Sequence, residues 1–89
     1  MKHLNIKIYG QVQGVFFRDS ARKKAEEIGI FGFIRNEPDG SVYIEAEGEE
    51  EKLKELLDWC KKGSELAEVK KVETKEVAIK NYDCFVVSY

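Results

Sequence analysis

The apolar spacing of the first thirty residues changes from two to between three and four, and that switch restricts the fold more than any composition value. Leu4, Ile6 and Ile8 alternate with Asn5, Lys7 and Tyr9, the period of a strand with one covered face. After a short segment bearing two glycines, Phe17, Ala21, Ala25 and Ile28 recur at spacings of 4, 4 and 3. Arg22, Lys23, Glu26 and Glu27 fill the other side, as on an amphipathic helix. Gly29 stands where a helix C′ residue would end that stripe.

Phe31 to Asn36 and Ser41 to Gly48 carry aromatic and β-branched residues on either side of Glu37-Pro38-Asp39-Gly40. Proline presets φ and glycine supplies φ > 0, so these segments form a hairpin. Glu49, Glu50 and Glu51 precede a stripe of Leu53, Leu56, Leu57 and Cys60, which Lys61, Lys62 and Gly63 close. Acids at the start and bases at the end complement a helix dipole. Val69 and Val72 straddle Lys70 and Lys71 out of strict alternation before Val77 and Ile79 resume, which reads as a strand with a bulge. Cys84 to Tyr89 forms a last short strand after an Asn81-Tyr82-Asp83 turn.

The order is βαββαβ with an added terminal strand. It specifies an α+β sandwich of the ferredoxin-like type, an antiparallel sheet with two helices on one face. At 89 residues the expectation is one domain, residues 1–89, around one core. In this topology the first two strands run the same way and end at one edge of the sheet. Arg18 and Asn36, distant in sequence, are therefore expected to converge.

Composition narrows the function classes. A net charge of −2 argues against a nucleic-acid module, which carries a basic patch or stripe. No apolar stretch approaches the ~20 residues of a membrane span, and the first residues hold no signal-peptide h-region. A cytoplasmic monomer without membrane or nucleic-acid partners is the expectation. Cys60 and Cys84 are too few for a disulfide scaffold and lack zinc-ligand spacing. Reduced thiols are expected, with a single bridge left open.

The chemistry concentrates at Gly10 to Arg18, GQVQGVFFR. Glycines that lead into a helix N-terminus allow a concave nest of N–H groups for an anion. A tight strand-to-helix turn would explain them equally well. Arg18 adds a cation in the first helical turn, against the dipole. Its counter-charge is either a carboxylate such as Asp19 or a phosphate gripped by the guanidinium fork. Asn36 is either a turn-starting residue bonded to its own backbone or a functional amide facing Arg18. Arg35 points to the other face by alternation.

The remaining polar and aromatic residues have structural readings. His3 is expected to be an exposed residue at the start of an edge-prone strand. Trp59 reads as partly buried packing beside the second helical stripe, Cys60 as core, and Glu49 to Glu51 as a solvated helix end. Cys84 is ambiguous. Neither a Ser/His/Asp set nor a metal-ligand cluster is present, so no cofactor and no metal are expected.

GQVQGVFFR and GFIRNEPDGSVYIEAEG (Gly32 to Gly48) resemble the two signature segments of the acylphosphatase family, in order and spacing, and the element pattern matches over essentially the whole chain. Phe33 stands where Trp is common, and Ser64 where Pro is frequent; neither belongs to the proposed chemistry. The resemblance implies hydrolysis of small-molecule acyl phosphates to a carboxylate and inorganic phosphate. It implies that Arg18 binds the phosphate and that Asn36 positions the attacking water. The loop amides of Gln13, Gly14, Val15, Phe16, Phe17 and Arg18 would complete the phosphate site.

A carboxylate leaving group has a conjugate acid of pKa near ~4, so no general acid is needed. An RNA-recognition reading fits poorly, because strand SVYIEAEG would present two glutamates to phosphates. A phosphate-binding or regulatory module without turnover is the stronger rival. A domain of a larger carbamoyl-transfer maturation protein is disfavoured, since no zinc-finger segment follows.

Overall fold

The computed structural model describes residues 1–88. Its elements are β1 (Lys2–Gln11), α1 (Phe17–Ile28), β2 (Phe31–Asn36), β3 (Val42–Gly48), α2 (Glu50–Lys62), β4 (Glu68–Val77) and β5 (Phe85–Val87). The strands lie in the order β4-β1-β3-β2-β5, the expected sandwich. Of the terminal strand expected over Cys84 to Tyr89, Phe85 to Val87 is paired, and Tyr89 lies outside the described residues.

Alternation sorts the two faces of the sheet. Ile6, Ile8, Ile34, Val42, Ile44 and Ala46 are buried in one cluster with the apolar stripes of both helices. Phe17 of α1 and Trp59 of α2 meet with ring centroids 5.2 Å apart, which ties the helix stripes together at the end nearest the loop after β1. Cys60 is buried in this core and Cys84 is exposed, both as free thiols, so the bridge left open by the sequence is not formed.

Three features differ from expectation. The sheet is mixed rather than antiparallel, because β5 pairs parallel with β2 through Gly32–Phe85 and Ile34–Val87. A three-residue strand has too little periodicity to declare its direction. Gly10 belongs to β1 and not to the loop after it. The β1–β4 register shifts between Tyr9 and Gly10, where Lys70 is the extra residue on β4, so the bulge anticipated around Lys70 has Gly10 as its other half. A Cβ at Gly10 would lie 2.1 Å from the Glu68 carbonyl oxygen, at φ +130°; only glycine lets the strands approach there.

The third difference is His3. It is fully buried and β1 is an inner strand, flanked by β4 and β3. Its Nδ1 lies 2.7 Å from Glu47 Oε2 and its Nε2 3.0 Å from Glu45 Oε1. Both glutamates are buried too, so they do not present charge on an open sheet face as the sequence suggested. The segment from Lys80 to Tyr82 covers them. Lys80 N, Asn81 N and Tyr82 N donate to Glu47, while Tyr43 and Tyr82 hydroxyls and Lys80 Nζ donate to Glu45.

Candidate active site

Pairing register explains why Asn36 and the loop after β1 meet. Ile8, Val42 and Asn36 occupy one row across β1, β3 and β2, with side chains on the helix face. Arg35 therefore points the opposite way, is exposed, and stacks its guanidinium 4.9 Å from the Tyr43 ring centroid. Beyond that row β1 ends, and residues 12–16 carry the chain into α1.

The loop is fastened from both sides. Gln13 Nε2 donates to the carbonyls of Glu37 and Ser41, each at 2.9 Å, which ties it to the turn that follows Asn36. Ser64 Oγ donates to the Val15 carbonyl at 2.8 Å. That bond sets the orientation of the planar 15–16 peptide and aims the Phe16 N–H away from Ser64. Val15 packs against the core.

Next to these anchors the backbone is left-handed twice, at Gly14 (φ 71°) and Phe16 (φ 61°). A Cβ at Gly14 would meet nothing within 4 Å among the described residues, so the glycine answers to conformation and not to crowding there. Phe16 has no such licence, and a non-glycine residue there costs about 1–2 kcal/mol. It is the N-cap of α1 and supplies no side-chain cap bond. Ser20 N donates to the Phe16 carbonyl at 3.1 Å; the amides before it are the donors that the start of a helix leaves for a cap or an anion.

A cavity of about 280 Å³ opens at this point, lined by Val12, Gly14, Phe16, Phe17, Arg18, Asp19, Asn36 and Val87. Arg18 and Asn36 thus share one cavity with the helix N-terminus. Arg18 Nη1 makes a long contact, 3.4 Å, to the Ser88 carbonyl. Asn36 Oδ1 is buried and accepts no hydrogen bond among the described residues, so the self-bonded turn reading of Asn36 is not what this oxygen does. Asp19, one of the candidates to balance Arg18, is bonded to Arg22 at 2.7 Å, with Lys23 at 3.6 Å. The Arg22 bond first, then the surrounding cations, hold its carboxyl below the usual range. Its charge is thereby offset beside the cavity.

Of the expected site residues, Gly14, Phe16, Phe17, Arg18 and Asn36 line the cavity. Gln13 and Val15 stand behind it as anchors. Phe17 also serves the core, 1% exposed. The sequence reading missed Val12, Asp19 and Val87 as cavity residues and Ser88 as a neighbour of Arg18. Val12 and Asp19 adjoin the glycine segment and were within its reach; Val87 and Ser88 were not, because nothing in the sequence gives the direction of β5.

The Acylphosphatase family model matches residues 4–87. The chain belongs to the acylphosphatase family. It is 49% identical to an acylphosphatase of Archaeoglobus fulgidus over 86 residues, 97% of each chain. It superposes on the acylphosphatase from Bacillus subtilis with a TM-score of 0.97 and 31% identity, covering 100% of both chains. On an acylphosphatase from Coxiella burnetii the TM-score is 0.94 and the identity 37%, covering 98% of this chain and 92% of that one. The acylphosphatase fold therefore extends over the whole described chain, the cavity at the start of α1 included.

Proposed function

We propose that this acylphosphatase-family enzyme hydrolyses the carboxyl–phosphate bond of acyl phosphates, with Arg18 and the amides from Gln13 to Arg18 holding the phosphoryl group and Asn36 positioning the water. The observation that carries this reading is the shared cavity: a guanidinium, a helix N-terminus without a side-chain cap, and a buried amide oxygen with no donor among the described residues. The first two suit a phosphoryl group, whose spreading negative charge is met by fixed donors. The third suits a water O–H, which Asn36 Oδ1 accepts so that a lone pair of the water oxygen faces phosphorus.

The step balances without further groups. The water oxygen bonds to phosphorus, the phosphorus–carboxyl oxygen bond breaks with its electron pair going to the carboxylate, and the water proton passes to a phosphoryl oxygen. The leaving carboxylate is a weak base and needs no proton. On this reading residues 1–89 act as one unit, in the cytoplasm and as a monomer.

The test is hydrolysis of benzoyl phosphate without added metal, by the parent enzyme and by Arg18→Ala and Asn36→Ala. Arg18→Ala is expected to lose both phosphate inhibition and turnover, and Asn36→Ala to lose kcat with KM little changed. Full activity in Asn36→Ala refutes its role. Phosphate binding by an inactive parent protein would establish the non-catalytic module instead.

A further inference from the structure

We propose that Phe16 determines acyl-group specificity: its ring forms an apolar wall of the cavity against which the acyl substituent packs, selecting aromatic or extended apolar acyl phosphates over acetyl phosphate. This inference rests on the reaction proposed above.

Two neighbouring phenylalanines show the contrast. Phe17 is 1% exposed and belongs to the core, whereas Phe16 is 75% exposed and takes no part in the core cluster. Its ring contributes little to folding, and its backbone is in the left-handed region, where Asn or Gly is favoured. A large apolar side chain kept in a strained conformation at a ligand cavity points to a role toward the ligand. Phe16 lines the same cavity as Arg18 and Asn36.

The size of the cavity agrees. The roughly 280 Å³ exceeds what a phosphoryl group and one attacking water fill, even at about 30 Å³ per water-sized group. Arg18 and Asn36 serve the phosphoryl end, while the Asp19 carboxylate is held by Arg22. The apolar remainder of the lining is Val12, Phe17, Val87 and Phe16, and Val12 and Phe17 are each 1% exposed. Among the described lining residues Phe16 is therefore the largest apolar one open to a substituent. An acetyl group offers it one methyl; a benzoyl group offers a ring face.

The experiment measures kcat/KM for benzoyl phosphate and acetyl phosphate with the parent enzyme, Phe16→Asn and Phe16→Tyr. Asn tolerates the left-handed backbone and removes the ring; Tyr keeps it. The expected result is a fall of about fivefold to tenfold in the benzoyl-to-acetyl ratio for Phe16→Asn, the value of half-burying one phenyl ring, with the ratio retained in Phe16→Tyr. Any loss common to both substrates cancels in the ratio. An unchanged ratio in an active Phe16→Asn enzyme overturns the inference alone. A parent enzyme inactive on both substrates overturns the proposed reaction and this inference with it.

Discussion

Truncating Glu47 removes the acceptor on which two distant parts of the chain, His3 and residues 80–82, depend. Its Oε2 receives His3 Nδ1 at 2.7 Å, Lys80 N at 2.5 Å and Asn81 N at 3.3 Å, and its Oε1 receives Tyr82 N at 2.8 Å. Three of these are short bonds to a charged acceptor, each contributing about 1.5–3 kcal/mol. Their sum of about 5–9 kcal/mol is an upper bound, because the 80–82 segment would move and admit water. Breaking one side of a buried pair costs about 3–5 kcal/mol, and Glu47→Ala is expected near 4 kcal/mol. For a chain of this size that lowers Tm by about 16–30 °C, and Glu47→Gln, which keeps an acceptor but no charge, should lose about half as much. Urea unfolding of Glu47→Gln, His3→Ala and the double variant gives their coupling, expected at about 2 kcal/mol. A coupling below about 0.5 kcal/mol, with Glu47→Ala costing less than about 1 kcal/mol, would refute the reasoning.

Acid should act on the same network. Burial raises the carboxyls of Glu45 and Glu47, but the bonds from Tyr43, Tyr82 and Lys80 to the one, and from Lys80 N, Tyr82 N and His3 to the other, outweigh it and leave both below the usual range. Asp39 is drawn down to about 2 by the Ser41 hydroxyl and amide and by Lys7. Depressed carboxyls stabilise the fold fully above their unfolded values near ~4 and lose that effect as pH falls through the folded ones. Tm is thus expected to be flat from about pH 7 to pH 5 and to fall toward pH 2; a constant Tm down to pH 2 contradicts it. Gly32→Ala would place a Cβ 1.8 Å from the Glu45 carbonyl oxygen at φ +140°, so it should destabilise by about 3 kcal/mol or more, read by urea unfolding, and a loss under about 1 kcal/mol would contradict the close approach. Burial pushes the Cys60 thiol up to about 12 while Cys84 is exposed, so a thiol reagent at mild alkaline pH should titrate one cysteine in the folded protein and two in denaturant.

What the sequence discloses here depends on how far apart the partners lie along the chain. The stripes of α1 and α2 and the alternation of β1 reside in short windows, and each element emerged within a few residues of its expected bounds. The meeting of Arg18 and Asn36 needed one further step, that β1 and β2 run parallel and end together. His3 failed because alternation puts it with Asn5, Lys7 and Tyr9 on the polar side of β1, and the segment that buries it lies almost eighty residues away. Gly10 failed more instructively. Its bulge was visible as the broken alternation at Lys70, but the two halves of one irregularity sit on different strands and only the pairing joins them. Nothing in the residue type marked Phe16 as left-handed, since phenylalanine is not a residue that favours positive φ.

The buried histidine and the cavity are parts of one arrangement. β4 lies at one edge of the sheet and β5 at the other, so the chain between them must cross a face, and the helices already occupy one. The crossing segment therefore lies on the other, where His3, Glu45 and Glu47 hold it by three backbone amides and the Tyr82 and Lys80 side chains. That crossing delivers β5 parallel to β2, with Gly32 N bonded to Cys84 O and Ser88 N to Ile34 O, both at 2.8 Å. Parallel pairing carries the end of β5 toward the same sheet edge as Asn36, which is why Val87 lines the cavity and the Ser88 carbonyl stands beside Arg18. Antiparallel pairing in its place would have carried the strand's end away from that edge. The acidic pair on β3 thus shapes a site it does not touch, by fixing the route along which the last strand reaches it.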